Sequence, residues 1–222
     1  LNIGKSLDLT SNVIFFDTKT GVKVAEYVEG NALTGKLEDT DVDNIAFMLK
    51  NLHNMKLTGQ DYDLKGRLRR YEKLLINPPT LDYYTLKMFW LKMYDEIYAS
   101  ADKVLCHGDA QRSNIVKNET RYYLLDWEFS GLNDPYYDIA SFGNMGIEDS
   151  ILLLEKYLGR TPNNSEIKKV KFYRMYQVLQ WHVVAKYKHE INLSGKLNLD
   201  FFQISNKYLN IAKKLYEDIM IL

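Results

Sequence analysis

The chain has 222 residues, 46% of them hydrophobic and 26% charged, which is enough to bury a large core as one globular domain or one and a half. Lys plus Arg and Asp plus Glu both number 29, so no net charge favours nucleic acid or an acidic membrane surface, and neither is an expected partner. A single cysteine, Cys106, excludes an internal disulfide; with no signal peptide and no apolar run of membrane-spanning length, a cytoplasmic location is expected.

The sequence starts at Leu1 and runs at once into strand-like residues, so upstream residues are expected to be missing. VIFFD (13–17) and VKVAEYV (22–28) are apolar, β-branched runs around a Gly-containing turn and predict a β-hairpin. GNALTGKL (30–37) nearly satisfies the G-x-x-x-x-G-K-[ST] phosphate loop, but Leu37 stands where a hydroxyl must hold magnesium, and the nearest helix-start signal, Asp39-Thr40-Asp41, comes too late. Behind that signal, Ile45, Met48, Leu49 and Leu52 recur at helical spacing. Asn77-Pro78-Pro79 breaks the chain before a second long helix expected to end near Ala101. A short apolar strand VLC (104–106) follows. IVK (115–117), the turn NET and YYLLDW (122–127) predict a second hairpin, and most of 147–220 is helical by pattern.

Chemistry concentrates in CHGDAQRSN (106–114), which leaves the buried strand with Asp109, Gln111 and Asn114 in one loop. The hairpin then returns the chain, so Asp126 should lie beside Asn114. A carboxylate and a carboxamide suit Mg²⁺, a hard cation that keeps oxygen ligands and shares them with substrate phosphates. Asp109 stays free to accept a proton from a hydroxyl nucleophile, the layout of kinase-type phosphoryl transfer. A bare HGD would otherwise read as a polar turn with an aspartate cap; H-x-D-x₄-N followed by a hairpin and an Asp fits the kinase signature in order and context. His107 is read as orienting the loop and Cys106 as packing, and His53, His182 and His189 lack metal-ligand spacing.

CHGDAQRSN together with LLDWEFSGLNDPYYDIASF resembles the phosphotransferase family of choline, ethanolamine and aminoglycoside kinases, a branch of the protein-kinase-like fold. FFDTKTGVKVAEYVEG resembles the end of the N-terminal lobe and the hinge of bacterial choline kinases, and LKGRLRRYEKLL their linker helix. The resemblance covers most of the chain, the last helices only loosely. It implies an α+β protein-kinase-like fold in which 1–29 is a remnant of the N-terminal lobe and hinge, and 30–222 a helical C-terminal lobe. By position, Asp109 resembles the catalytic base, Asn114 and Asp126 the magnesium ligands, and Glu128 a second acid near the metal. Gln111 resembles a residue near the reacting hydroxyl. Asp138 matches an aspartate that braces the catalytic loop, a role compatible with capping the helix from Ile139 onwards. ATP, the implied co-substrate, would bond the hinge backbone at the Glu26 carbonyl and the Val28 amide. The strand with the family's phosphate-contacting lysine would precede Leu1, and no G-x-G-x-x-G occurs in these residues, so the chain is read as a fragment.

The acceptor implied is choline or a similar amino alcohol, whose quaternary ammonium is recognised by aromatic faces. Tyr173 and Tyr176, three apart on a helix, resemble an aromatic pair of choline kinases, and Phe202 a further cage position. Aromatics at helical spacing, Trp181 included, also read as core. The region 168–190 is basic and aromatic rather than acidic, which favours a small ammonium alcohol over a polycationic aminoglycoside. Another small-molecule kinase of the same fold, acting on an aminoglycoside, thiamine or a sugar, and a pseudokinase that binds without turnover are the competing readings. Oligomeric state has no sequence signature here.

Overall fold

The computed structural model describes residues 9–222 apart from Lys56 and Thr120. Two compact units emerge, each built from two stretches of chain. The first comprises the described residues through Gln60 together with Lys103–Pro162, and the second Asp61–Asp102 together with Asn163–Leu222.

In the first unit, β1 (Val13–Phe16) and β2 (Lys23–Ala25) pair antiparallel as the sequence predicts. Asp17 fixes their turn by accepting from the Lys19 amide at 2.9 Å and the Thr20 hydroxyl at 2.6 Å, and Gly21 supplies the left-handed φ of 74°. β3 (Asn31–Ala32) pairs with β5 (Ile115–Lys117), which pairs in turn with β6 (Tyr122–Leu124). Gly30 is needed at this junction: its φ is 145°, and a Cβ there would meet the Lys117 carbonyl oxygen at 2.5 Å. The first glycine of GNALTGKL thus serves close strand approach. Helix α1 (Asp39–His53) starts at a reciprocal capping box between Glu38 and Asp41 and buries Val42, Ile45, Leu49 and Leu52. Asp41, itself buried, also accepts from Lys117 at 2.7 Å and Tyr122 at 2.6 Å, tying the helix start to the β5–β6 hairpin.

β4 (Val104–Cys106) pairs antiparallel with β7 (Gly131–Asn133), a strand the sequence pattern does not reveal. Three residues are too short for alternation to register. Helix α4 (Tyr136–Phe142) and helix α5 (Ile147–Leu158) close this unit, α5 ending at Gly159 with φ 71°.

The second unit is helical: α2 (Leu64–Glu72), α3 (Leu81–Tyr94), α6 (Asn164–Glu190), α7 (Leu193–Leu197) and α8 (Phe201–Met220). The α-helical part of the helix expected to reach Ala101 stops at Tyr94 and widens into a π-helical turn over Asp95–Ala99. Its core is aromatic. Trp90 stacks on Phe172 with ring centroids 5.4 Å apart and meets Tyr176 at the same distance, while Tyr98 stands edge-on to Tyr173. No described helix is long and apolar enough to cross a membrane.

Candidate active site

All the residues expected to carry the chemistry of transfer lie in the first unit. β4 delivers the chain from the core, and the turn that follows requires Gly108, whose φ is 82°. Asp138, fully buried on α4, accepts from the His107 amide at 2.7 Å and the Gly108 amide at 2.8 Å, so the start of the loop is clamped by one carboxylate. His53 adds a third contact to Asp138 at 3.1 Å and reaches Tyr157 at 3.0 Å through its other ring nitrogen. Burial alone would raise the Asp138 carboxyl, but the hydrogen bond to His53 and the electrostatic attraction of that ring, with His107 and the Gly108 amide, hold it below the ordinary carboxylate value. Asp138 therefore braces the loop but does not cap its own helix. It sits inside α4, whose first amide, Tyr136, is met by Asp134 at 2.9 Å.

His107 is buried, edge-on to Trp127, and its Nδ1 accepts from the Asp109 amide at 3.2 Å, which orients the next residue. Burial pushes its pKa down and keeps it neutral. Asp109 follows in a half-buried position. Its Oδ2 accepts from Gln111 Nε2 at 3.0 Å and from Asn114 Nδ2 at 2.9 Å. Desolvation outweighs these two bonds, and with the nearby charges of Asp126 and Asp138 raises its pKa to about 6. A carboxylate with that value is ionised at neutral pH and more basic than an exposed one, which suits a proton acceptor.

The β5–β6 hairpin brings the second half of the site back. The Leu125 amide donates to the Asn114 carbonyl at 2.8 Å, so Asp126 follows directly on a residue bonded to Asn114. Asp126 is exposed and holds φ 65°, a left-handed conformation that costs a non-glycine residue about 1 kcal/mol or more. The indole of Trp127 pins this turn by donating to the Leu124 carbonyl at 2.7 Å. Glu128 is exposed one residue further on. Asn114 spends its amide nitrogen on Asp109, which leaves the carbonyl oxygen of the side chain for a cation. The carboxamide oxygen of Asn114 and the exposed carboxylates of Asp126 and Glu128 are hard oxygen donors of the kind Mg²⁺ prefers.

Among the described residues, His53, Cys106 and Asp138 also bring ligand atoms within 4.8 Å of one another. Their valences are already occupied: Asp138 accepts three bonds, His53 bridges Asp138 and Tyr157, and the Cys106 thiol, raised by burial, lies 3.5 Å from two backbone carbonyls. The cluster is a buried brace.

Glu26 and Val28 line a surface groove of about 350 Å³ with Asn12, Arg121 and Tyr123. No backbone hydrogen bond ties the Glu26 carbonyl or the Val28 amide among the described residues; the Glu26 amide donates to the Asn12 carbonyl at 2.9 Å. The aromatic positions lie in the second unit. Tyr173 and Tyr176 have no solvent exposure, their rings packed on Tyr98, Phe172 and Trp90, so neither offers a free π-face as an ammonium cage would. The helical spacing that placed them on one face is that of the core. Phe202 is half exposed beside the His189 ring.

Sequence reasoning missed Arg112, which lies inside the quoted loop, and His53, 85 residues away from the carboxylate it meets. Arg112 carries a signal only in hindsight, as a cation in a loop of acids. His53 carries none.

The chain resembles several known proteins. It is 28% identical over 222 residues to Protein LicA of Haemophilus influenzae, covering 91% of this chain and 80% of that protein. A solved choline kinase LicA from Streptococcus pneumoniae superposes with a TM-score of 0.73 at 25% identity, covering 95% of this chain and 78% of the other. A choline/ethanolamine kinase family protein from Mesorhizobium loti gives a TM-score of 0.79 at 18% identity over 97% and 77%. The fold these structures share with the chain is the α+β, protein-kinase-like one expected from the sequence. The pattern of the phosphotransferase enzyme family matches residues 15–168, a span running from β1 through the catalytic loop, hairpin and bracing aspartate into α6, and the chain accordingly belongs to that family of enzymes.

Proposed function

We propose that the protein transfers the γ-phosphoryl group of ATP to the hydroxyl of choline or a similar amino alcohol. The observation that carries this reading is Asp109: a carboxylate with a raised pKa, aimed by two side-chain amides and set on a loop that Asp138 clamps. In this reading Asp109 accepts the proton of the acceptor hydroxyl as its oxygen attacks phosphorus, and Gln111 keeps the carboxylate turned toward that hydroxyl. Asn114, Asp126 and Glu128 would hold Mg²⁺. When bound, that ion neutralises charge on the phosphates during transfer. The backbone carbonyl of Glu26 and amide of Val28 would bond the adenine edge.

The likeness to LicA supports an amino-alcohol acceptor over a sugar or an aminoglycoside. With Tyr173 and Tyr176 enclosed in the core, Phe202 is the one position of the expected cage still open to an ammonium group. The decisive experiment is an ATP-consumption assay on the full-length protein with choline, ethanolamine, thiamine and an aminoglycoside as separate acceptors. Choline or ethanolamine should support turnover. Turnover with an aminoglycoside alone would replace the acceptor assignment, and none with any acceptor would favour a binding module.

A further inference from the structure

Arg112 sits at the centre of the catalytic loop, three residues after Asp109 and two before Asn114, with a side chain only 7% exposed. Its guanidinium reaches three groups from elements outside the loop. Nε donates to the Leu33 carbonyl at 2.7 Å, Nη2 donates to the Gly35 carbonyl, and Nη1 pairs with Asp149 Oδ2 at 2.7 Å in the first turn of α5. The backbone repeats the connection: the Arg112 amide donates to Asn144 Oδ1 at 3.3 Å, and Asn144 Nδ2 donates to Gln111 Oε1 at 3.4 Å.

This arrangement also explains GNALTGKL. A phosphate-binding loop turns its amides inward, whereas this segment presents two carbonyl oxygens to a cation, and the Leu33 amide is already committed to the Ile115 carbonyl at 3.0 Å. The segment receives an arginine where a Walker loop would receive an anion. A planar fork of N–H donors is needed to meet two carbonyls and a carboxylate at once, and lysine, a point charge on a flexible stem, cannot reproduce it.

We infer that Arg112 is a positioning residue that locks the catalytic loop to the segment following the hinge and to α5, and so fixes where Asp109 and Asn114 stand during transfer. The inference rests on the phosphoryl-transfer reading above. Its guanidinium is committed to Leu33, Gly35 and Asp149, so its role is exerted through the loop backbone.

The test uses the full-length protein with Arg112→Gln, Arg112→Lys and Asp149→Asn, read by steady-state kinetics and by amide hydrogen exchange. Arg112→Gln should lower kcat by roughly 10- to 100-fold while both KM values stay within about threefold, because misplacing a reacting group by about 1 Å costs on that order. Exchange should quicken at 109–115 and 33–35 and stay unchanged in α6 and α8. Arg112→Lys should recover part of the loss, and Asp149→Asn, which keeps two of the three contacts, should cost only a few-fold in kcat. If Arg112→Gln does not fold, Asp149→Asn and Arg112→Lys still decide. Wild-type kcat in every folded variant, full recovery by lysine, or faster exchange spread evenly through α6 and α8 would overturn the inference. A wild-type protein that consumes no ATP with any acceptor would instead defeat the proposed function, and local exchange would still decide whether Arg112 holds the loop.

Discussion

Asp109 is placed where its ionisation is unfavourable and its basicity useful. Burial raises its pKa to about 6, so it is charged at neutral pH at a cost to the folded state. The sign follows from linkage: an acid whose folded pKa lies above its unfolded value penalises the fold above the folded pKa, and the penalty is relieved as pH falls through about 6 toward 4. Asp109→Asn should therefore be more stable than the parent at pH 7, by about 1 to 2 kcal/mol, with the difference vanishing near pH 4, as thermal melts at the two pH values would reveal. The same substitution should lower kcat by at least ~10²-fold, since the base is lost. In the parent, kcat should fall on the acid side as Asp109 takes up a proton. Near-normal turnover of the asparagine variant would remove Asp109 from the role of base. A flat profile down to pH 5 would place its pKa lower than burial implies.

At the scale of elements, α1, α4 and the catalytic loop meet on one buried carboxylate. Asp138 accepts two loop amides and His53, and its lowered pKa means that this stability is present above the unfolded pKa near 4 and lost as pH falls below it. Asp138→Asn leaves one oxygen for three donors and turns an amide group toward a loop N–H, so unfolding by denaturant should show a loss of about 3 to 5 kcal/mol. An unchanged midpoint would mean that the loop holds its own shape. Between α3 and α6 the glue is aromatic. Tyr176→Leu removes a ring that packs on Trp90 and should lower the melting temperature while leaving choline KM unchanged; a risen KM at constant stability would restore it to the acceptor site. What could be read beforehand follows from range. The caps of α1, the two hairpins and the loop 106–114 are written in neighbouring residues, and the adjacency of Asn114 and Asp126 follows from hairpin geometry alone. β7 has three residues and takes its identity from pairing with β4, and the carbonyls of Leu33 and Gly35 that hold Arg112 leave no trace in side-chain identity. Tyr173 and Tyr176 were ambiguous for a physical reason: a cage and a core ask for the same residues at the same spacing, and only burial separates them.

Across the whole molecule the balance of 29 acidic and 29 basic residues bears on how an acceptor arrives. With no net charge, the long-range field neither gathers nor repels a small cation, and what attraction exists must act within about a Debye length, roughly 8 Å at physiological ionic strength. Choline carries one charge. Its capture by aromatic and short-range contacts should be almost indifferent to salt, with kcat/KM changing less than about threefold between roughly 50 and 300 mM sodium chloride at saturating magnesium and ATP. A polycationic aminoglycoside bound by several carboxylates would behave differently, losing kcat/KM steeply over the same range because each added charge pair is screened. Salt dependence measured with both acceptors thus separates two modes of recognition that share one catalytic loop. A steep fall for choline would show that carboxylates provide most of its capture, and Phe202 would then lose its assigned part in binding.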